Sequence, residues 1–233
     1  KKMADGTEGF RLKTIRLRGQ ISQGLILPIS VLNPADTNIY VTPFEGLDVT
    51  EMLGIVKYEP PVPAQLAGQV KGMFPSFLKK TDEDRIQNLT KEFEKFKTQK
   101  FYVTEKLDGS SVTYYVKDGE FGVCSRNLDL ERSETNSMWK YAIQNEIEEK
   151  MKSLGRNIAF QGEIIGEGIQ GNPYKVIGQK VQFFNVFDID KYHNVNLEEF
   201  IKILGDLGLQ HVPILEFDFK LPETIDEVLE YAD

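Results

Sequence analysis

Asp118-Gly119 divides the stretch 101–127, FYVTEKLDGSSVTYYVKDGEFGVCSRN, into two runs rich in β-branched and aromatic residues. An Asp-Gly pair in that setting predicts a hairpin closed by a two-residue type I′ turn. The turn fixes the register: Lys117 faces Glu120, pairing proceeds symmetrically outward, and Arg126 falls opposite Ser111. The hairpin therefore returns Arg126 to the neighbourhood of Lys106-Leu107-Asp108-Gly109, where the first strand turns. Two neighbouring cations gain nothing in stability, because each disfavours the charged form of the other. Around a phosphate the same pairing makes sense.

The 233 residues suffice for a substantial core and suit one large domain with a smaller companion. No apolar run is long enough to span a membrane and no signal-peptide pattern opens the chain, so an intracellular protein without membrane partners is expected. A single cysteine, Cys124, excludes an internal disulfide and fits a reducing compartment, cytoplasm or nucleus. With one Cys and only His193 and His211, a zinc site or a Ser-His-Asp triad is disfavoured, and any metal would be a hard cation on carboxylates and water. The net charge of −8 argues at first against a nucleic-acid partner. Its distribution weakens that objection: residues 1–100 hold 15 basic against 12 acidic side chains, whereas residues 198–233 hold 2 against 10. A phosphate backbone can dock away from the acidic end, with salt-sensitive affinity.

Short β-like runs at Leu12–Leu17, Leu25–Val31 and Ile39–Val41 predict a small, incomplete all-β module over residues 1–59. The Pro-rich stretch Glu59–Ala64 is a stiff connector, and residues 60–75 are taken as linker, with the larger α+β unit occupying 76–233. Thr81-Asp82-Glu83-Asp84 resembles a capping box, and Ile86, Leu89, Phe93 and Phe96 follow helical spacing behind it. A helix is predicted from about Glu134 to Leu154, stopped by Gly155. Strands follow at Ile158–Ile165 and Lys180–Ile189, then helix (Leu197–Leu207), strand (His211–Phe217) and helix (Pro222–Tyr231).

Three stretches carry chemistry. Lys106 is placed to act as a nucleophile. A free lysine has a pKa of about 10.4, so at neutral pH only roughly one in a few thousand holds the lone pair that attacks. Partial burial, or more strongly a divalent cation held by a neighbouring carboxylate such as Asp108, would favour the neutral amine and offset phosphate charge. The alternative is that LDGS is a plain turn. In QGEIIGEGIQGN, 161–172, Glu163 sits near the end of an apolar strand with glycines behind it, suited to a ribose hydroxyl or a metal-bound water; a bulge with a solvated Glu is the alternative. No helix opens there, as a dinucleotide fingerprint would need. In VQFFNVFDI, 181–189, regular alternation puts Phe183, Asn185 and Phe187 on one face. An aromatic with an open side can stack on a purine for about 1–3 kcal/mol, although most strand phenylalanines are core.

Taken in order, EKLDGS (105–110), SRN (125–127), GEIIGEGIQ (162–170) and FFNVFDI (183–189) resemble four motifs of the covalent nucleotidyltransferase superfamily, and within it the ATP-dependent RNA ligases of the RNA ligase 2 group. The segment TDEDRIQN and the β module before it resemble the clade with an N-terminal OB domain. The resemblance implies an α+β, ATP-grasp-like adenylation domain with antiparallel sheets and flanking helices behind an OB-like module. It further implies ATP and Mg²⁺ or Mn²⁺ as cofactors, with AMP carried covalently on Lys106. The RNA partner would present 3′-hydroxyl and 5′-phosphate ends, possibly at a nick in a duplex, and the protein is expected to act as a monomer.

By position, Glu105 would lie near the adenine edge, Arg126 on the ribose and the RNA end, and Glu163 on ribose or metal-bound water. Asp108 would serve the metal's water shell, Phe187 would stack on the base, and Gln170 would touch RNA. A Glu-Gly-x-Val motif and a Lys-x-Lys motif of such ligases are missing, since Lys95-Phe96-Lys97 lies upstream of Lys106; the sequence is expected to be a fragment. A DNA ligase or a GTP-dependent capping guanylyltransferase uses the same Lys-x-Asp-Gly chemistry. A non-catalytic nucleic-acid-binding protein is the alternative of another class.

Overall fold

The fold is taken from a computed structural model. It describes residues 6–10, 12, 15–17, 20–22, 24–32, 42, 44–56 and 68–232. The chain separates into two compact units with the boundary after Gln65.

In the smaller unit β1 (Ile15–Leu17) and β2 (Gln20–Ser22) pair antiparallel, Ile15 opposite Ser22. The stretch expected as a strand at Leu25–Val31 instead ends in a 3₁₀ turn, Ile29–Leu32. Pro28 explains this: it lacks the N–H a ladder needs, and its carbonyl accepts from Val31 N at 3.0 Å to start the turn. Ile39–Val41 and the Pro-rich stretch 59–64 lie outside the described residues.

The larger unit begins earlier than expected, because β3 (Val70–Met73) falls inside the presumed linker and forms the edge of the main sheet. Then come α1 (Phe93–Phe96), β4 (Phe101–Thr104), β5 (Ser110–Lys117), β6 (Glu120–Ser125) and β7 (Leu128–Leu130). They are followed by α2 (Ser137–Gln144), α3 (Ile147–Lys152), β8 (Ile158–Gly166), β9 (Gln179–Asp188) and β10 (His193–Asn194). The last elements are α4 (Leu197–Asp206), β11 (Ile214–Phe219) and α5 (Ile225–Ala232). Seven strands form one antiparallel sheet in the order β10-β9-β8-β5-β6-β7-β3, and β4 pairs with β11 in a separate two-stranded sheet.

The β5–β6 hairpin forms as its turn residues require: Asp118 and Gly119 have φ of 53° and 82°, and pairing runs from Lys117–Glu120 to Val112–Ser125. The strand β5 is buried on both faces. Tyr114 turns toward the helices, donating its hydroxyl to Met138 O at 3.1 Å, while Tyr115 turns the other way, into a core of Leu78, Cys124, Ala159, Phe187 and Ile189. There Tyr115 Oη donates to Asp129 Oδ2 at 2.9 Å, and the Cys124 thiol, held well above its usual pKa by burial, contacts the same carboxylate.

Two helix expectations fail. The helix expected over 134–154 is split, because Glu146 adopts a left-handed conformation, φ 55°, between α2 and α3. The break turns Ile147 and Met151 fully inward, and burying them repays the lost helical continuity. Residues 81–85 are not helical; only a 3₁₀ turn, Ile86–Asn88, and the one-turn α1 form. Among the described residues no helix is long and apolar enough to cross a membrane.

Candidate functional site

Residues 105–109 join the two sheets, from β4 to β5, and their alternation makes the site. Leu107 is buried against Ile165 and Val212, which leaves Lys106 and Asp108 exposed on either side of it. The segment is tied at its start by Glu105 N donating to Pro213 O at 3.0 Å. At its end Gly109 presses on β8: a Cβ there would lie 2.3 Å from Ile164 O, so only glycine fits. The close approach is to the neighbouring strand. It brings Gly109 N within 3.2 Å of Glu163 Oε1, to which it donates.

Lys106, Asp108, Arg126 and Glu163 all line one cleft of about 1010 Å³, together with Glu105 and Gln170. Glu163 lies on β8 opposite Ser111. Partial burial raises its carboxyl pKa above the ordinary value; the Gly109 N–H and the charges of Lys106 and Arg126 pull it back, and Asp108 pushes the same way as burial. Arg126 follows the last residue of β6, one position beyond the final Val112–Ser125 pair, and its Nη2 donates to Asp82 Oδ1 at 2.5 Å. Lys106 is exposed, so burial, one of the two means considered for favouring its neutral form, is absent.

Phe187 is a correction. It is 0 % exposed, packed among Tyr115, Cys124 and Ile189 in the core away from the cleft. The reason is a slip in the β8–β9 ladder: Gln161 pairs with Asn185 but Gly162 pairs with Phe183, which leaves Phe184 as an extra residue. A bulge of this kind re-aims side chains. Phe184 and Asn185 consequently line the cleft, Phe184 backed by the Leu107 cluster. Sequence reasoning also missed Asp82, Glu83 and Arg85, which line the cleft from an extended strap held by Thr81 Oγ1 near Ser111 Oγ, 3.4 Å. The only signal for them was the density of charge in TDEDR, which reads equally well as a helix start.

The lining holds five carboxylates (Asp82, Glu83, Glu105, Asp108, Glu163) against three cations (Arg85, Lys106, Arg126). A polyphosphate entering it needs added positive charge. Among the described residues no group of three or more His, Cys, Asp or Glu side chains converges on a metal position. Asp108 and Glu163, which line the cleft with Lys106, offer a sparse oxygen set that suits a hard cation keeping much of its water and sharing phosphate oxygens.

A family model described as RNA ligase matches residues 99–232, and one described as an OB-fold domain matches residues 1–29. No curated protein matches the chain. Among solved structures, a Naegleria gruberi RNA ligase with PPi is 46 % identical, with TM-score 0.68, the match covering 98 % of this chain and 68 % of that one. A lysine-to-alanine mutant of the Naegleria gruberi ligase with ATP and Mn matches at 45 % identity and TM-score 0.67, covering 97 % of this chain and 66 % of that one. A lysine-to-methionine mutant with AMP and Mn matches at 45 % and 0.67, covering 97 % and 67 %. The chain thus spans about two thirds of the length of these ligases. Four motifs folded into one cleft, a family model over more than half of the chain and this level of identity lead to one conclusion: the chain belongs to the RNA ligase family.

Proposed function

We propose that this protein joins RNA ends at the expense of ATP, with Lys106 as the nucleophile. The observation that carries the reading is the convergence of Lys106, Asp108, Arg126 and Glu163 in a cleft whose wall presents Phe184. The Naegleria gruberi ligases, with PPi, ATP and AMP bound, support it.

Lys106 Nζ attacks the α-phosphorus of ATP, a P–N bond forms as the bond to pyrophosphate breaks, and the amine's proton is lost to solvent. Arg126, which pairs with Asp82 in the free protein, donates to phosphate or ribose oxygens once it leaves that partner, and Glu163 accepts from a ribose hydroxyl. The purine lies against Phe184 with Glu105 near its edge. A 5′-phosphate then displaces Lys106 from the adenylate, which restores the free amine. A 3′-hydroxyl attacks that 5′-phosphorus, and AMP leaves as the phosphodiester forms. A divalent cation held through Asp108, Glu163 and water would neutralise phosphate charge beside Lys106 and favour its unprotonated form. The OB-like module would add contacts to backbone charge and to nicked or single-stranded RNA.

Intact mass of the full-length protein after incubation with ATP and Mg²⁺ tests this. A covalent AMP adduct that is absent from Lys106→Ala is the expected result; no adduct, or one that persists in that variant, rejects it. Replacing ATP by GTP separates capping chemistry. Comparing ribose with deoxyribose at the 3′-hydroxyl side of a nick separates DNA sealing.

A further inference from the structure

The geometry points to Tyr174 as a positioning residue for the nucleophile's turn, a role that rests on the ligase reading above. Asp108 N, two residues from the reactive amine, donates to Tyr174 Oη at 2.7 Å. The next N–H, that of Gly109, is taken by Glu163. Two consecutive backbone donors beside Lys106 are thus held by two side chains that come from β8 and from the loop after it.

That loop, 167–178, has a defined shape. Its base is closed by Glu167 N donating to Gly178 O and by Gln179 Nε2 donating to Glu167 O, both at 2.8 Å. Its tip is braced by Asn172, whose side chain both donates to Val176 O at 2.9 Å and accepts from Val176 N at 3.0 Å. Gln170, Asn172 and Lys175 adopt left-handed conformations, which a loose connection has no reason to select. Val176 packs on the Leu107 cluster, so the loop grips the turn twice, by side chain at Leu107 and by backbone at Asp108.

Tyr174 does not itself line the cleft, whereas Gln170 on the same loop does. The hydroxyl therefore acts on Lys106 through the turn and not on the nucleotide, and whatever touches Gln170 bears on the same loop.

The test uses the full-length protein with Tyr174→Phe, which keeps the ring and deletes one neutral hydrogen bond. Single-turnover adenylylation of Lys106 at saturating ATP is expected to fall about three- to tenfold, the scale of one such bond, with ATP affinity changed less than about twofold. Sealing of a synthetic RNA that already carries 5′-linked AMP bypasses Lys106, and its rate is expected to be unchanged. An equal fall in both reactions makes the residue a general support of the fold and overturns the proposal, as does no change in either or a loss of ATP affinity alone. A thermal midpoint within about 2 °C of the parent accompanies the expected result. A parent protein that takes up no AMP overturns the ligase reading, and this role with it.

Discussion

The two ends of the β8–β9 pair are built from similar residues and do opposite work. At one end Ile158 to Gln161 pair in regular register with Asn185 to Asp188, and the phenylalanine there, Phe187, vanishes into the core. At the other, past the slip, Gly162 to Ile165 run beside Lys180 to Phe183, and Phe184 and Glu163 stand in the cleft. The difference shows that the site is made by one inserted residue in a ladder, not by a change of composition.

Truncating the two rings measures that difference. Phe187→Ala is expected to remove about 3–5 kcal/mol of stability, as for other fully buried aromatics, read from denaturant unfolding, with adenylylation per folded molecule retained. Phe184→Ala is expected to lose less stability and to weaken nucleotide binding by about 1–3 kcal/mol, read by titration of the folded protein. If the two results exchange, the bulge is misplaced. Glu163→Gln keeps the shape and an acceptor for Gly109 N but removes the charge. Adenylylation is expected to fall on the order of a hundredfold, the scale of a lost electrostatic group in an active site, with no fall in the melting temperature.

The smallest expected effect concerns pH. Glu163 has its pKa raised, chiefly by burial, so the folded protein favours the protonated acid and loses some stability as pH rises through that pKa. Glu163→Gln should therefore match the parent at low pH and become slightly the more stable above that pKa. A stability gap that closes with rising pH contradicts the assignment. Any part of the acidic limb of the adenylylation rate that belongs to Glu163 should likewise lie above the ordinary glutamate pKa and be missing in the variant.

The hairpin was legible from sequence because Asp118-Gly119 encodes its turn locally, and register follows from the turn alone. Lys106, Asp108, Arg126 and Glu163 could be assembled from that register and from motif order. What escaped depends on partners distant in sequence. The bulge at Phe184 exists only in the pairing of β8 with β9, and the motif match pointed to Phe187 instead. Residues 81–85 have the local pattern of a helix cap, but Thr81 meets Ser111 and Asp82 meets Arg126, and those contacts draw the segment out along the cleft. The strand expected at His211–Phe217 starts later: His211 makes an isolated parallel bridge to Phe183, and β11 begins at Ile214, pairing with β4 through two register shifts.

The five residues 105–109 begin on the small sheet and finish on the large one. Lys106 is therefore carried on the connection between the two platforms and Glu163 on β8 of the larger one, so a slide of one sheet past the other by a single strand residue, about 3.3 Å, would change the separation of the two side chains. Reactivity in such an arrangement is a matter of alignment between platforms, open to any molecule that braces or loosens the seam without touching either group.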